Sequence, residues 1–418
     1  MKQLFLFLIF SSSLYSQKTS ELFNSAKLGE SREITIGLPK SYNKNPEKKY
    51  PVLYLLDGDY LFDPFYGALS YGEYWEDIPE TIVVGINQNK KNERLDDSNF
   101  DPETGLPTGT GANFFEFIGA ELLPYIEKKY RTAPFRIIAG HDTTAGFLNF
   151  FLYKDQPLFN AYISLSPDLI PEMENILPKR LSDIKKPIFY YQSTADGDLL
   201  KKENPIQGLT ESLKAIENPY LNFKFDDFKN ASHYSLVLYS IPSALYQIFE
   251  SFKPISGSEY NEKIAILKEN QTEYLEKKYD LIDKNYGYKT QLRLNDVQAI
   301  ETSIIKNKNY AELEKLAVIC NKYYPKAMLG EYYLALMYEK FGEYAKAQKH
   351  YFIAYTMNPI GTFTKDNMMI HVDDMKAKSQ KKAKNNAVEI AEPIAEPAPE
   401  PTSVSEKSET IKEDAKPK

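Results

Sequence analysis

Residues 139–146 read Ala-Gly-His-Asp-Thr-Thr-Ala-Gly. They follow the apolar run Arg136-Ile137-Ile138 and lead into residues 147–154, FLNFFLYK, whose apolar positions have helical spacing. An apolar strand, a tight turn that opens on Gly140-His141 and then a helix together present one side chain, that of the residue at the apex, at the end of a sheet. Sharp turns of this kind with the pattern G-x-S-x-G carry serine at the apex. Here the apex residue is Asp142, and what an aspartate does there decides how the chain is read.

Strand-like and helix-like segments alternate on both sides of this turn, over residues about 30–255. REITIGLP (32–39) alternates in polarity as a half-buried strand does, whereas PVLYLLDG (51–58) and TIVVGIN (81–87) are continuous apolar runs ended by Gly, Asp or Asn, as buried parallel strands are. FFEFIGAELLPYIEKKY (114–130) has three- and four-residue apolar spacing and reads as a helix. FRIIAGH (135–141), FNAYISLSP (159–167) and KPIFYYQST (186–194) repeat the strand pattern. This order implies an α/β domain with a mostly parallel sheet covered by helices on both faces.

Strand signals stop near residue 256, and amphipathic helices follow to about 375. Residues 327–359 resemble a tetratricopeptide (TPR) repeat, with Leu334, Ala335, Tyr338, Gly342, Ala347, Tyr351, Ala354 and Pro359 at the spacings of a helix-turn-helix unit. An imperfect copy covers 307–325. Pro325 and Pro359 are 34 residues apart, as are Tyr310 and Tyr344. In that register Cys320, the only cysteine, falls at a tight inter-helix position and reads as a small core residue. The 376–418 segment has no aromatic residue and is rich in Lys, Glu, Pro and Ala, the composition of a disordered tail.

Residues 1–16, with Lys2, the apolar core LFLFLIF and then SSSLYS, read as a signal peptide cleaved before Gln17. With no cysteine after that core, a lipoprotein is not expected, and one cysteine forms no intrachain disulfide. The expected location is therefore the periplasm, the outer membrane surface or the exterior. The formal net charge of -7 gives no basic surface for nucleic acid, and the mean hydropathy of -0.48 excludes a multi-span membrane protein. No glycine-rich phosphate loop or His/Cys cluster points to a cofactor or metal. The 32 Tyr and 24 Phe read as core and helix packing rather than as a carbohydrate platform.

Several motifs in order carry a resemblance to the esterase D and enterochelin-esterase-like hydrolases, members of the α/β-hydrolase fold, over most of residues 30–255. KYPVLYLLDGDYLF (49–62) is similar to that family's first central strand and oxyanion turn, and GANFFEFIGAELLPYIEKKYRT with RIIAGH to its helix and nucleophile strand. LFNAYISLSPDL is similar to the strand after the elbow helix, and FKNASHYSLV to the segment that delivers the catalytic histidine. The resemblance implies His233 as general base, Asp196 or Asp198 as its acid, and Gly58, Asp59, Tyr60 and Thr143 at the oxyanion turn. His141 is expected to pack beside the elbow rather than to react.

Serine chemistry is excluded at Asp142, because a carboxylate has no hydroxyl proton to give to histidine. An aspartate can instead attack an alkyl carbon, as in haloalkane dehalogenases and epoxide hydrolases. Two departures favour a site that has lost its nucleophile: Thr144 stands where the strained elbow normally has glycine, and no insertion of cap-domain size is present. The leading expectation is a pseudoenzyme that binds a small ligand in its pocket and a protein partner through its TPR-like helices, where Tyr332, Tyr333 and Phe341 are the candidate contacts. The alternative is an active hydrolase with an Asp142–His233–Asp196/Asp198 triad acting on an ester, epoxide or alkyl substrate.

Overall fold

The computed structural model describes residues 18–391, and the expected signal peptide lies outside them. Eight strands form one sheet: β1 (Lys18–Ser25), β2 (Glu30–Gly37), β3 (Tyr50–Leu55), β4 (Ile82–Ile86), β5 (Thr132–His141), β6 (Ala161–Leu165), β7 (Ile188–Gly197) and β8 (Leu221–Ser232). Their order across the sheet is β1-β2-β4-β3-β5-β6-β7-β8. The β1–β2 and β2–β4 pairs are antiparallel and all others parallel. Every residue of β3, β4 and β6 is buried, as expected of strands with helices on both faces.

β1 extends the domain before residue 30. It pairs with β2 along its whole length, from Lys18 opposite Gly37 to Ser25 opposite Glu30. KTSELFNS has only the adjacent pair Leu22-Phe23 as apolar residues, so no alternation marks it as a strand. The tertiary structure decides it: Phe23 packs edge-on against Phe117 and Tyr125, with ring centroids 5.5 and 5.0 Å apart.

Three consecutive helical segments, Gly109–Glu116, Phe117–Leu122 and Leu123–Lys129, cover one part of the sheet, burying Phe114, Phe117, Ile118, Leu122 and Ile126. Phe147, Phe150 and Phe151, just after the elbow, complete this core. At about 1.5–3 kcal/mol for each large apolar side chain buried, this cluster of aromatic rings is a main source of the domain's stability. The helix Gly58–Tyr74 packs on the helix Leu236–Ile248, which lies over β6, β7 and β8.

The described residues divide into two compact units, at Glu312/Leu313 and not near residue 256. Helices Gln271–Tyr286 and Leu294–Asn307 therefore belong to the sheet's unit. Tyr286 anchors them there, since it is buried against Phe135, Phe189 and Phe249 and donates to Ile248 O at 3.0 Å.

The second unit contains the helices Leu329–Lys340 and Tyr344–Thr356, joined through Gly342 at φ 72°, and the helix Lys365–Ala391 packed on the latter. Lys308, at φ 57°, ends the helix Leu294–Asn307 34 residues before Gly342. Residues 376–391, read from composition as the start of a disordered tail, continue the last helix. Their Lys- and Ala-rich sequence has high helix propensity, and Lys378 and Lys382 bond to Glu339 Oε1 and Gly342 O at 2.8 and 3.0 Å. The rest of that tail, 392–418, lies outside the described residues.

Candidate active site

β5 ends in a sharp turn into the short helix Thr143–Phe147, with Asp142 at φ 62° and ψ −120°. A non-glycine residue in this region costs on the order of 1–3 kcal/mol, and the surroundings must hold it there. They do so through the Asp142 backbone: its N–H donates to Leu165 O at 2.9 Å, and its carbonyl accepts from Asp168 N at 3.0 Å and Gly146 N at 3.1 Å. Two glycines allow the close packing. A Cβ on Gly140 would lie 2.8 Å from Thr144 Oγ1, and one on Gly146 would lie 2.0 Å from Asp168 O.

Thr144 fits this elbow, contrary to the expectation that its bulk would spoil it. The side chain is fully buried, and Oγ1 donates to Asp57 Oδ2 at 2.5 Å while accepting from His141 N at 3.0 Å. The hydroxyl thus ties the turn to the end of β3.

The Asp142 carboxylate does not stand free at the apex. One oxygen pairs with Lys202 Nζ, and the other accepts from Arg94 Nη1 at 3.3 Å and Thr143 Oγ1 at 3.4 Å. The Lys202 side chain is 1% exposed and also donates to Ser166 O at 3.0 Å. Burial pushes the Asp142 carboxyl up, but Lys202 and Arg94 outweigh it and hold the group at about 2. Arg94 joins Asp142 to the fully buried Asp57, through Nε to Oδ1 at 2.6 Å, and caps His141 O at 2.7 Å. Asp57, Asp142, Arg94 and Lys202 therefore form one network under the elbow, in which burial raises the pKa of Asp57 against the pull of Arg94. Lys202, Arg94 and Asp57 are its members that sequence reasoning missed, because LKKE and NERL read as ordinary surface helix and DGDY drew attention to its backbone.

Behind the elbow His233 and Asp198 lie side by side. His233 Nδ1 lies 2.7 Å from Asp198 Oδ1. Asp198 further accepts from Ser166 Oγ at 2.9 Å, Thr194 Oγ1 at 3.0 Å and Leu199 N at 2.7 Å. Burial works against its charge, yet these donors hold it well below the ordinary carboxylate range. Ser166, at φ 45°, lies 3.1 Å from His233 Nδ1 as well. Asp196, the other acid candidate, points elsewhere and accepts from Asn230 N at 3.0 Å. His233 Nε2 has no partner among the described residues, and no hydrogen bond joins His233 to Asp142.

His141 packs as expected. Its Nε2 faces His233 O at 3.1 Å, its Nδ1 faces Tyr60 OH at 3.1 Å, and its ring lies 4.6 Å from that of His233. Burial, with His233 adding to it, lowers its pKa to about 4. At the oxyanion turn, Gly58 sits tightly against the Gly85–Ile86 backbone, since a Cβ would lie 2.7 Å from it. Asp59 turns away to accept from Gln88 N at 2.7 Å, and Tyr60 spends its amide on Asp57 O at 3.2 Å and its hydroxyl on Asp57 and His141. Gly58 and Thr143 each open a helix, where first-turn amides have no helical acceptor.

The candidate partner residues of the second unit are corrected in part. Tyr333 is fully buried, and Tyr332 packs on Phe363 and Tyr351 with centroids 4.7 and 6.0 Å apart. These rings fill helix interfaces, while Phe341 is 52% exposed. Among the described residues no group of three or more His, Cys, Asp or Glu could hold a metal ion, and no helix is long and apolar enough to cross a membrane.

The arrangement pairs His233 with Asp198 and presents the apex carboxylate as a doubly ion-paired anion. Comparison with known proteins agrees with the fold. The chain is 31% identical to an uncharacterised protein from Capnocytophaga ochracea over 86% of this chain and 100% of that one, with a TM-score of 0.78. An IroE-like serine hydrolase from Shewanella oneidensis shares the fold at 23% identity and TM-score 0.53, covering 72% of this chain and 96% of that one. The BES protein from Bacillus cereus does so at 24% and 0.50, covering 59% and 96%. No curated protein matches. The Esterase family ("Putative esterase") matches residues 25–203. Strand order and elbow agree with that match, and the chain has the esterase-like α/β-hydrolase fold, with the family match over residues 25–203.

Proposed function

We propose that this protein is an exported, esterase-like protein that binds a small ligand without cleaving it, and that its TPR-like helices hold a protein partner in the cell envelope. The observation that carries the first part is the ion pairing of Asp142. To attack, an oxygen must give up its ionic partner, and this carboxylate has Lys202 on one oxygen and Arg94 on the other. The test is direct. A fluorophosphonate probe should leave residues 139–146 unlabelled, and p-nitrophenyl esters should give no burst. Stoichiometric labelling within that stretch, or turnover abolished by Asp142→Asn, would overturn the reading.

The intact His233–Asp198 pair favours one second reading, an alkyl-transferring hydrolase. Asp142 would attack an alkyl carbon and expel its leaving group, and water deprotonated by His233 would then attack the ester carbonyl and release the alcohol. One turnover in 18O-labelled water would leave 18O in the Asp142 carboxylate. Absence of label in turned-over enzyme removes this reading.

A further inference from the structure

The helix Lys365–Ala391 turns one side to its own unit, where Met368, Val372 and Met375 are buried. Lys378 and Lys382 continue that side. Besides their bonds to Glu339 and Gly342 they lie over the Tyr344 ring, 5.9 and 5.8 Å from its centroid. At about 100° per residue, Lys376, Lys381 and Lys384 fall on the opposite side, within roughly 140° of arc and about 12 Å of helix. All three are exposed, and none is hydrogen-bonded or ion-paired to another described residue.

The charge of this stretch has one sign. From Met375 to Asn385 there are five lysines and no acidic residue. Residues 313–385 have 12 lysines against seven acidic residues, in a chain whose net charge is -7. A helix that is merely solvated is served by both signs, with Glu and Lys a turn apart. The outward face therefore calls for an anionic occupant, and its chemistry narrows which one. A small anion needs donors that converge, and these three lysines are strung along a convex helix. A protein interface needs aromatic or aliphatic anchors and is depleted of lysine at its core, whereas Ala377 and Gln380 separate the lysines here. Nucleic-acid surfaces interleave basic residues with aromatic ones, and residues 375–385 have no aromatic. A layer of anionic lipid headgroups needs neither pocket nor anchor, only several lysines presented together to a diffuse negative charge.

We propose that the outward face of this helix, with Lys376, Lys381 and Lys384, holds the chain against an anionic lipid surface. Nothing in this depends on the elbow or on a protein partner. The test sediments the chain from Gln17 on, free of the apolar LFLFLIF segment, with vesicles of phosphatidylcholine alone or with about one-third phosphatidylglycerol, at about 0.1 M salt. The protein should pellet with the anionic vesicles and not with the neutral ones, and high salt should release it. Each lysine near such a surface contributes about fivefold to affinity, so Lys376→Gln, Lys381→Gln and Lys384→Gln together should weaken binding by roughly a hundredfold. The same three positions changed to Arg should keep it. Both variants should retain the original circular dichroism, since the side chains are exposed. Equal pelleting with neutral vesicles, no pelleting with either, or a Gln variant that binds as tightly as the original would overturn the proposal. Retention on immobilised polyglutamate without vesicle binding would do the same, by making an acidic protein the occupant. So would vesicle binding that appears only when residues 386–418, with their eight acidic residues, are removed, because the chain's own segment would then cover the face.

Discussion

At the scale of the residue, Asp142 and Lys202 depend on each other. Replacing the aspartate alone leaves an ammonium that is 1% exposed with only Ser166 O beside it. Breaking a buried pair from one side costs about 3–5 kcal/mol. Asp142→Ser should therefore lower the denaturation midpoint strongly, while Asp142→Ser with Lys202→Met should recover most of the loss in urea melts. The double variant, not the single one, is where restored serine esterase activity is to be sought. Thr144 need not change, since its hydroxyl serves Asp57. The same residues set the acid response. His141, lowered to about 4, takes up its proton more readily unfolded, so stability falls as pH drops from about 6.5 toward 4. Asp142, lowered to about 2, contributes stability above about pH 4 that is lost as pH falls toward 2. His141→Gln should flatten the upper part of that slope, and chemical denaturation between pH 4 and 7 measures it.

At the scale of the element, the elbow holds because β6 and the segment after it clamp the Asp142 backbone, so its strain does not depend on which side chain sits at the apex. The Asp198 loop after β7 is similarly over-determined, with four donors on one carboxylate. Ser166→Ala removes one of these donors and should raise the Asp198 pKa, seen by NMR titration, without unfolding the domain. The helix Gln271–Tyr286 was read as part of a separate helical domain, but its last residue fills the sheet unit's core. Tyr286→Ala should cost about 3–5 kcal/mol, as large-to-small changes of a buried ring do. A loss under 1 kcal/mol in urea melts would show that the helix is only an appendage.

At the scale of the molecule, the division at Glu312/Leu313 makes truncation informative. Residues 18–312 should melt cooperatively by themselves, whereas a chain ending at residue 255 lacks Tyr286 and exposes Phe135, Phe189 and Phe249. Circular dichroism melts of the two truncations decide between this boundary and the one expected from loss of strand pattern. That pattern ends near residue 256 because the sheet is complete, yet sheets need covering, and helices after the last strand supply it.

Sequence alone determined the α/β fold, because continuous apolar runs ended by turn residues admit only buried parallel strands between helices. It located the elbow and its apex aspartate by local pattern, and the resemblance to esterases pointed to His233. It left Asp196 and Asp198 equal, since two acids in one loop have the same local chemistry. Only the fold turned Asp198 onto His233 and Asp196 onto Asn230. β1 was illegible for the same reason: its partner surface, β2 with Phe117 and Tyr125, lies outside any local window. Lys202 and Arg94 carried no signal, because a lysine in a helix's first turn is ordinarily solvated. What buries Lys202 is the convergence of β5, β6 and the helix Leu200–Lys214 on one point, and that convergence pairs the apex carboxylate with an ammonium instead of with histidine.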